Sequence, residues 1–151
     1  MRHGFGNEVW GMSLEIGVRN MENTGKNISF LDLDVYKRAF NASKEILFGI
    51  IPKLPVNEKF DLADQMRRAA KAIPALIAEG YAKKNQRKGF QKYLVDAMGE
   101  ANEMIVHLCY AKEYLSKDSS VIEKLIEKLI EEYNITGKQL YRLRESWTKS
   151  K

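Results

Sequence analysis

Residues 61 to 81 read DLADQMRRAAKAIPALIAEGY and form one long amphipathic helical pattern. Apolar side chains recur there at steps of three and four residues, which places them on one face of a helix. They are Leu62, Met66, Ala69, Ala70, Ile73, Ile77 and Tyr81. Basic side chains occupy the opposite face. The pattern therefore predicts a helix that begins near Asp61 and buries one face in a core.

Pro74 lies inside this pattern. An interior proline removes one backbone hydrogen bond and its ring clashes with the preceding turn, at a cost of about 3 kcal/mol. Two short helices could meet there, but Ile73 and Ile77 keep the same phase on both sides of the proline. We therefore predict one helix, kinked at Pro74, that ends between Gly80 and Asn85.

The flanking sequence predicts three more helices. The first starts at a cap formed by Asp32 or Asp34 and stops at Pro52 and Pro55, because each proline lacks an amide donor. Another, the third in chain order, runs from about Gln86 to Leu115. Its small residues, which predict the close approach of a neighbouring helix, are Ala97, Gly99 and Ala101.

The last helix begins at a cap formed by Ser119 or Ser120. Gly137 weakens it, but the apolar stripe resumes beyond this glycine and includes Trp147, so we expect the helix to continue. Four amphipathic helices joined by short loops bury their apolar faces best as an antiparallel up-down bundle. The sequence therefore predicts an all-α fold, a four-helix bundle.

Length and composition agree with one such domain. The chain has 151 residues, of which 44% are hydrophobic and 30% charged, which is typical of a single folded domain and excludes a disordered chain. Residues 1–29 lack a sustained period, so we interpret them as a poorly ordered extension. Trp10 and Phe5 could still dock on the body. We assign the bundle domain to residues 30–151.

Few side chains are suited to catalysis or metal binding. The histidines are His3 and His107, and the one cysteine, Cys109, lies in an apolar helical stretch that predicts a buried residue. Glu103 and His107 are four residues apart, whereas the Glu-x-x-His element of bundle metal sites has a spacing of three. We therefore expect these two residues to form a partly exposed pair on the helix surface and not a metal site. Phosphate loops and nucleophile motifs are absent from the sequence. We predict no enzyme activity, no cofactor and no metal.

Basic residues concentrate between residues 67 and 92, where Glu79 is the one acidic residue among eight Lys and Arg. Such a cluster suits contacts with nucleic-acid phosphates, although it can also serve solubility alone. Arg67 or Arg68 could instead pair with Glu79 or with a neighbouring subunit. The candidate nucleic-acid-binding residues are Arg67, Arg68, Lys71, Lys83, Lys84, Arg87, Lys88 and Lys92.

Several features together resemble the four-helix bundle family of 23S ribosomal RNA intervening-sequence proteins. They are Arg-Arg-Ala-Ala at 67–70, Ile73-Pro74, Ile-Ala-Glu-Gly at 77–80, and an aromatic-containing helix start at 90–93. Leu-Asp-Val-Tyr-Lys-Arg-Ala at 33–39 resembles the first helix of the family. The resemblance covers residues 30 to 116. The fourth helix resembles the family only in being a helix, without a shared motif. The resemblance also implies that Gly80 ends the second helix, where glycine is favoured because it reaches positive φ.

The family is related to the accessory variability determinant proteins of diversity-generating retroelements. Those proteins form pentameric rings and bind nucleic acid and a reverse transcriptase through a basic surface. The resemblance therefore implies a homo-oligomer, a pentamer by analogy, that is a nucleic-acid-binding or reverse-transcriptase accessory protein. RNA or DNA and a reverse transcriptase are the implied partners.

Two competing hypotheses remain. The chain could be a structural protein–protein interaction module with no nucleic-acid role, its charge serving solubility. The least favoured alternative is an enzyme whose site forms between subunits from Glu79, Glu103 and His107. No run of 18 apolar residues occurs, so we expect no membrane partner and a cytoplasmic location.

Overall fold

The computed structural model describes residues 29–117 and 119–149. Over these residues it contains four long helices and no strands, so the predicted all-α class is confirmed. Apart from Ser29, the predicted extension at residues 1–29 lies outside the described residues, and so do Phe5 and Trp10. The helices are α1 (Asp34–Glu45), α2 (Leu62–Ala82), α3 (Arg87–Leu115) and α4 (Ser120–Lys149).

The chain enters α1 through a short 3₁₀ turn, Phe30–Asp32. Ser29 Oγ accepts a hydrogen bond from the Leu31 amide at 3.3 Å, and the Ser29 amide donates to Asp32 Oδ2 at 2.9 Å. This reciprocal capping box satisfies amides that would otherwise lack partners. The predicted Asp32 cap therefore serves the turn, whereas α1 itself has no side-chain cap.

Helix α1 widens into a π-helical turn, Ile46–Ile50, and ends at the prolines through 3₁₀ turns at Ile51–Lys53 and Val56–Glu58. Helix α2 is continuous, with Pro74 buried inside it, so one helix and not two occupies this region. Helix α4 likewise continues through Gly137. The Ile122 amide donates to Ser119 Oγ at 3.4 Å, as expected for a serine cap.

The core lies between the four apolar stripes. Each helix contacts the next, and α1 also contacts α4, so all four helices enclose one core. Burying a large aliphatic or aromatic side chain contributes roughly 1.5–3 kcal/mol, and these contacts dominate the stability. The largest fully buried side chains include Tyr133, Phe90, Ile46, Met66, Ile73, Ile77, Leu94, Met104, Leu108 and Leu129.

Gly80 has a packing role rather than the predicted role of ending α2. It lies two residues inside the helix, without a positive φ, and a Cβ built there would stand 3.0 Å from Tyr93 Cβ. Glycine is therefore needed because α2 and α3 approach so closely. The predicted close approach at Gly99 is wrong, because Gly99 faces solvent with no atom within 4 Å of a built Cβ. Ala97 and Ala101 are fully buried, as expected.

Two other expectations for α3 concern Cys109 and His107. The prediction that Cys109 is buried is wrong: it is exposed, because the adjacent Leu108 faces the core and successive helical residues are rotated by about 100°. Glu103 and His107 form the expected pair and the Glu103 side chain is 54% exposed, but His107 itself is buried, with 6% of its surface exposed. It lies one turn from Met104 and Ala111, both fully buried, at the edge of the core stripe.

Replacing Gly80 by alanine should lower the free energy of unfolding by about 1–3 kcal/mol, because Tyr93 Cβ is attached to the α3 backbone and cannot rotate away. Gly99→Ala is the matched control and should raise the free energy of unfolding by about 0.5–1 kcal/mol, since alanine is the better helix former. Urea denaturation of both variants measures the difference. Equal effects at the two sites would contradict the close approach.

Candidate nucleic-acid interface

The turn between α2 and α3 is built as a rigid unit by its backbone. The Lys83 amide donates to the Gly80 carbonyl at 2.9 Å, and the Lys84 amide donates to the Tyr81 carbonyl at 3.1 Å. The Gln86 amide then donates to the Lys83 carbonyl at 2.8 Å. These bonds fix the direction in which the basic side chains of the turn leave the backbone. We call Lys83, Lys84, Arg87 and Lys88 the basic hairpin.

Both lysines of the turn are held by aromatic rings and not by carboxylates. Lys83 Nζ lies 5.0 Å from the centre of the Tyr93 ring, and Lys84 Nζ lies 4.1 Å from the centre of the Tyr81 ring. A cation–π contact of this kind is worth about 0.5–1 kcal/mol at an exposed site. It orients the ammonium group without neutralising its charge. Both positive charges therefore remain available to an anion.

Arg87 and Lys88 occupy the first turn of α3, where a positive charge is electrostatically unfavourable. Both are exposed, and neither has a hydrogen-bond or ion-pair partner among the described residues. The helix has no acidic residue in this turn, and the Gln86 side chain makes no capping bond. The positive end of the helix dipole, free amides and two cations thus coincide. An anion bound there would relieve this repulsion.

Trp147 anchors the hairpin from α4. Its indole Nε1 donates to the Lys84 carbonyl at 2.8 Å, and its ring lies 4.7 Å from the Phe90 ring. The contact brings the basic end of α4, which includes Arg142 and Arg144, to the hairpin end of the bundle. The sequence analysis identified Trp147 only as part of the apolar stripe. Its indole N–H was the missed signal, because a partly buried tryptophan usually donates this hydrogen to an acceptor.

Three of the other candidate cations are paired with carboxylates. Arg67 and Arg68 lie 3.8 Å and 3.2 Å from the Asp64 carboxylate, so Asp64 and not Glu79 is their partner within the chain. Lys92 Nζ donates to Asp96 Oδ2 at 2.6 Å, and this hydrogen bond raises the pKa of the lysine. These three side chains are less available to a ligand than the hairpin cations.

The eight candidate residues do not form one cluster. Lys71, which is exposed, precedes Lys83 by 12 residues of nearly continuous helix, about 18 Å at 1.5 Å per residue. Arg67 is about 24 Å away on the same measure. The structure therefore brings together Lys83, Lys84, Arg87 and Lys88, while Arg67, Arg68 and Lys71 lie farther along α2.

Of the residues considered for an enzyme site, Glu79 is separated from Glu103 and His107 within one chain. Glu103 Oε1 lies 3.1 Å from His107 Nε2, and His107 lines a small cleft with Leu62. Glu79 follows Leu62 by 17 residues of α2, about 25 Å. Among the described residues, no group of three or more His, Cys, Asp or Glu side chains is placed to hold a metal ion. No helix in this part of the chain is long and apolar enough to span a membrane.

Comparison with known proteins places most of this structure in one family. A family model described as 23S rRNA-intervening sequence protein matches residues 31–142, which include α1, α2, α3 and most of α4. The match extends farther than the resemblance described above, which we limited to residues 30–116. Searches of curated proteins and of solved structures gave no match.

Replacing Trp147 by phenylalanine should lower the free energy of unfolding by about 1 kcal/mol, because the ring contact with Phe90 stays while the bond to Lys84 is lost. Amide exchange of residues 83–90 should become faster, while exchange in the middle of α2 should not change. Hydrogen exchange followed by mass spectrometry measures both regions. Unchanged exchange of the turn would show that Trp147 does not anchor it.

Proposed function

The chain belongs to the 23S rRNA-intervening sequence protein family, and we propose that it is a non-enzymatic helical bundle that binds RNA or DNA through the basic hairpin. The observation that carries the proposal is the charge arrangement of the turn. Four cations lie within six residues, and none of them has a carboxylate partner among the described residues. Other exposed lysines, such as Lys53, also lack an ion pair among the described residues, so the feature that distinguishes the turn is the close spacing of its four cations.

The proposed mechanism is phosphate binding by a preformed surface. The turn is fixed by backbone bonds and by Trp147, so binding requires little ordering of the backbone. Lysine and arginine contacts to phosphates release condensed counterions, which gives affinity without sequence information. Lys71 extends the surface along α2, whereas Arg67, Arg68 and Lys92 contribute less because carboxylates already bind them. We expect weak sequence selectivity and strong salt dependence.

The proposal includes the antiparallel up-down arrangement that places the turn at one end. Arg38 pairs with Glu132, and Glu45 pairs with Lys128 at 3.2 Å. The later residue of α1 therefore pairs with the earlier residue of α4. These contacts support opposite directions for α1 and α4. A kink of α2 at Pro74 remains a prediction, based on the missing amide donor.

Self-association and protein partners form a further part of the proposal. By analogy with accessory variability determinant proteins, we expect a homo-oligomer, a pentamer, that works with a reverse transcriptase in the cytoplasm. This expectation rests on the relationship between the families and not on a contact in the structure. Self-association is independent of nucleic-acid binding by the basic hairpin, because the chain could do one without the other.

A second candidate function, a protein–protein interaction module, is favoured by the opposite end of the bundle. Four large apolar side chains are strongly exposed near the end of α1 and the starts of α2 and α4. Exposed apolar groups in one region are typical of surfaces that bind proteins. They are Phe48, Val56, Phe60 and Val121, with exposures of 78%, 86%, 86% and 73%.

Charge reversal tests the basic hairpin directly. Changing Lys83, Lys84, Arg87 and Lys88 to Glu should weaken binding of a labelled RNA or DNA at least about 100-fold, because phosphate contacts become repulsive. The matched control reverses four exposed lysines at the other end, Lys53, Lys59, Lys117 and Lys124, with the same change in net charge. Fluorescence anisotropy at fixed salt should show a much smaller loss for the control. Equal losses would show that only net charge matters.

A salt titration of the unchanged protein gives an independent test. If the four hairpin cations each contact one phosphate of a duplex, log K should fall with log salt at a slope of about −3.6. Binding curves at several salt concentrations, with the oligomer mass recorded on the same samples, measure this slope. A slope near zero would exclude binding through phosphates.

A further inference from the structure

A second surface with the chemistry of a nucleotide site lies on the boundary of α3 and α4. It is a groove of about 460 Å³. One wall is formed by Met98 and Asn102 of α3, one turn apart. The other is a stripe of α4 residues at helical spacing, namely Asn134, Gly137, Lys138, Tyr141 and Arg142. No acidic residue lines the groove, so it is not suited to a cation.

Gly137 keeps this groove open. A Cβ built on Gly137 would meet no atom within 4 Å, so packing inside the chain does not require a glycine. Glycine inside a helix costs roughly 0.5–1 kcal/mol relative to alanine. Gly99 is equally open, so the glycine alone does not indicate a ligand; at Gly137 the missing side chain leaves space beside the α4 backbone within the groove. Tyr141, one turn farther along α4, is 54% exposed and offers a flat aromatic face beside this space.

The polar groups of the groove have no partners of their own. Asn102, Asn134, Lys138 and Arg142 are exposed, and none makes a hydrogen bond or ion pair with a described residue. Each asparagine offers both a donor and an acceptor, as the edge of a base requires, while the two cations offer charge for a phosphate. Met98 and Tyr141 supply apolar surface on which a base can lie, beside the polar groups that can bind its edge and its phosphate. These features together suit a nucleotide.

We propose that the groove binds an unpaired base of a single-stranded nucleic acid, stacked on Tyr141, while the basic hairpin holds the adjoining backbone. This inference rests on the proposed function. Tyr141 precedes Trp147, which contacts the Lys84 carbonyl, by six residues, a rise of about 9 Å along the axis of α4. On the α3 wall, Met98 follows Lys88 by ten residues, about 15 Å. A strand that uses both surfaces must therefore span several nucleotides. Paired bases cannot stack on Tyr141, so the groove discriminates single strands from duplexes.

The test compares a labelled single-stranded 20-nucleotide oligomer with the duplex of the same sequence, in RNA and DNA forms, using the full chain. Tyr141→Ala should weaken single-strand binding about tenfold and duplex binding less than twofold. Tyr141→Phe should retain single-strand binding, because the aromatic face remains. Gly137→Leu should weaken single-strand binding by filling the groove, and Gly99→Leu is its control at an exposed helix glycine outside the groove.

The outcomes separate the two proposals. If the hairpin reversal abolishes binding while Tyr141→Ala and Gly137→Leu leave the single-strand affinity within twofold, the groove is overturned and the hairpin function stands. A changed oligomer mass with unchanged affinity would also overturn it, because the groove would then belong to a subunit contact. If the unchanged protein binds neither oligomer at low salt, both proposals fail.

Discussion

The close approach of α2 and α3 at Gly80 is the constraint on which the hairpin end of the bundle depends. A single methyl group at this position would stand 3.0 Å from Tyr93 Cβ, so even the smallest side chain would require the neighbouring residue of α3 to shift. The four-residue turn that joins them follows immediately. Phe90 is buried beneath it, and Trp147 reaches from α4 to the carbonyl of Lys84. Three helices therefore hold a segment that, by composition alone, would be a flexible loop.

The first turn of α3 contains no acidic residue, whereas the first turns of α1, α2 and α4 contain Asp34, Asp64 and Glu123. Lys112 lies near two glutamates, and the hydrogen bond to Glu127 is the main cause that raises its pKa. Arg87 and Lys88, in contrast, are placed at the positive end of a helix dipole with no carboxylate in the same turn. Features that cost stability without a gain inside the fold are typical of binding sites. Here the gain would come from a bound phosphate.

Much of the fold could be predicted from the sequence because hydrophobic periodicity is a local property. The predicted third helix, from about Gln86 to Leu115, differs from α3 by one residue at its start. Errors occurred where a residue lies at the edge of an apolar stripe, because small differences in helical phase decide burial; Cys109 and His107 are the examples. The contact between Trp147 and Lys84 joins residues 63 positions apart, and no local pattern specifies such a pair. The basic residues fall within one stretch of sequence, residues 67–92, but this stretch extends along a helix in space, which separates Arg67 from the turn.

The two ends of the bundle also differ in the partners they suit. The hairpin end combines four cations with a tryptophan anchor, while the other end exposes large apolar side chains. The most direct measurement is hydrogen exchange of the full chain with and without a single-stranded oligonucleotide at low salt. Nucleic-acid binding through the basic hairpin predicts protection of residues 83–92 and of α4 around Trp147, whereas binding in the groove would add protection of α4 at residues 137–142. Protection confined to the apolar end, or no protection while the oligonucleotide is bound, would contradict binding through the basic hairpin.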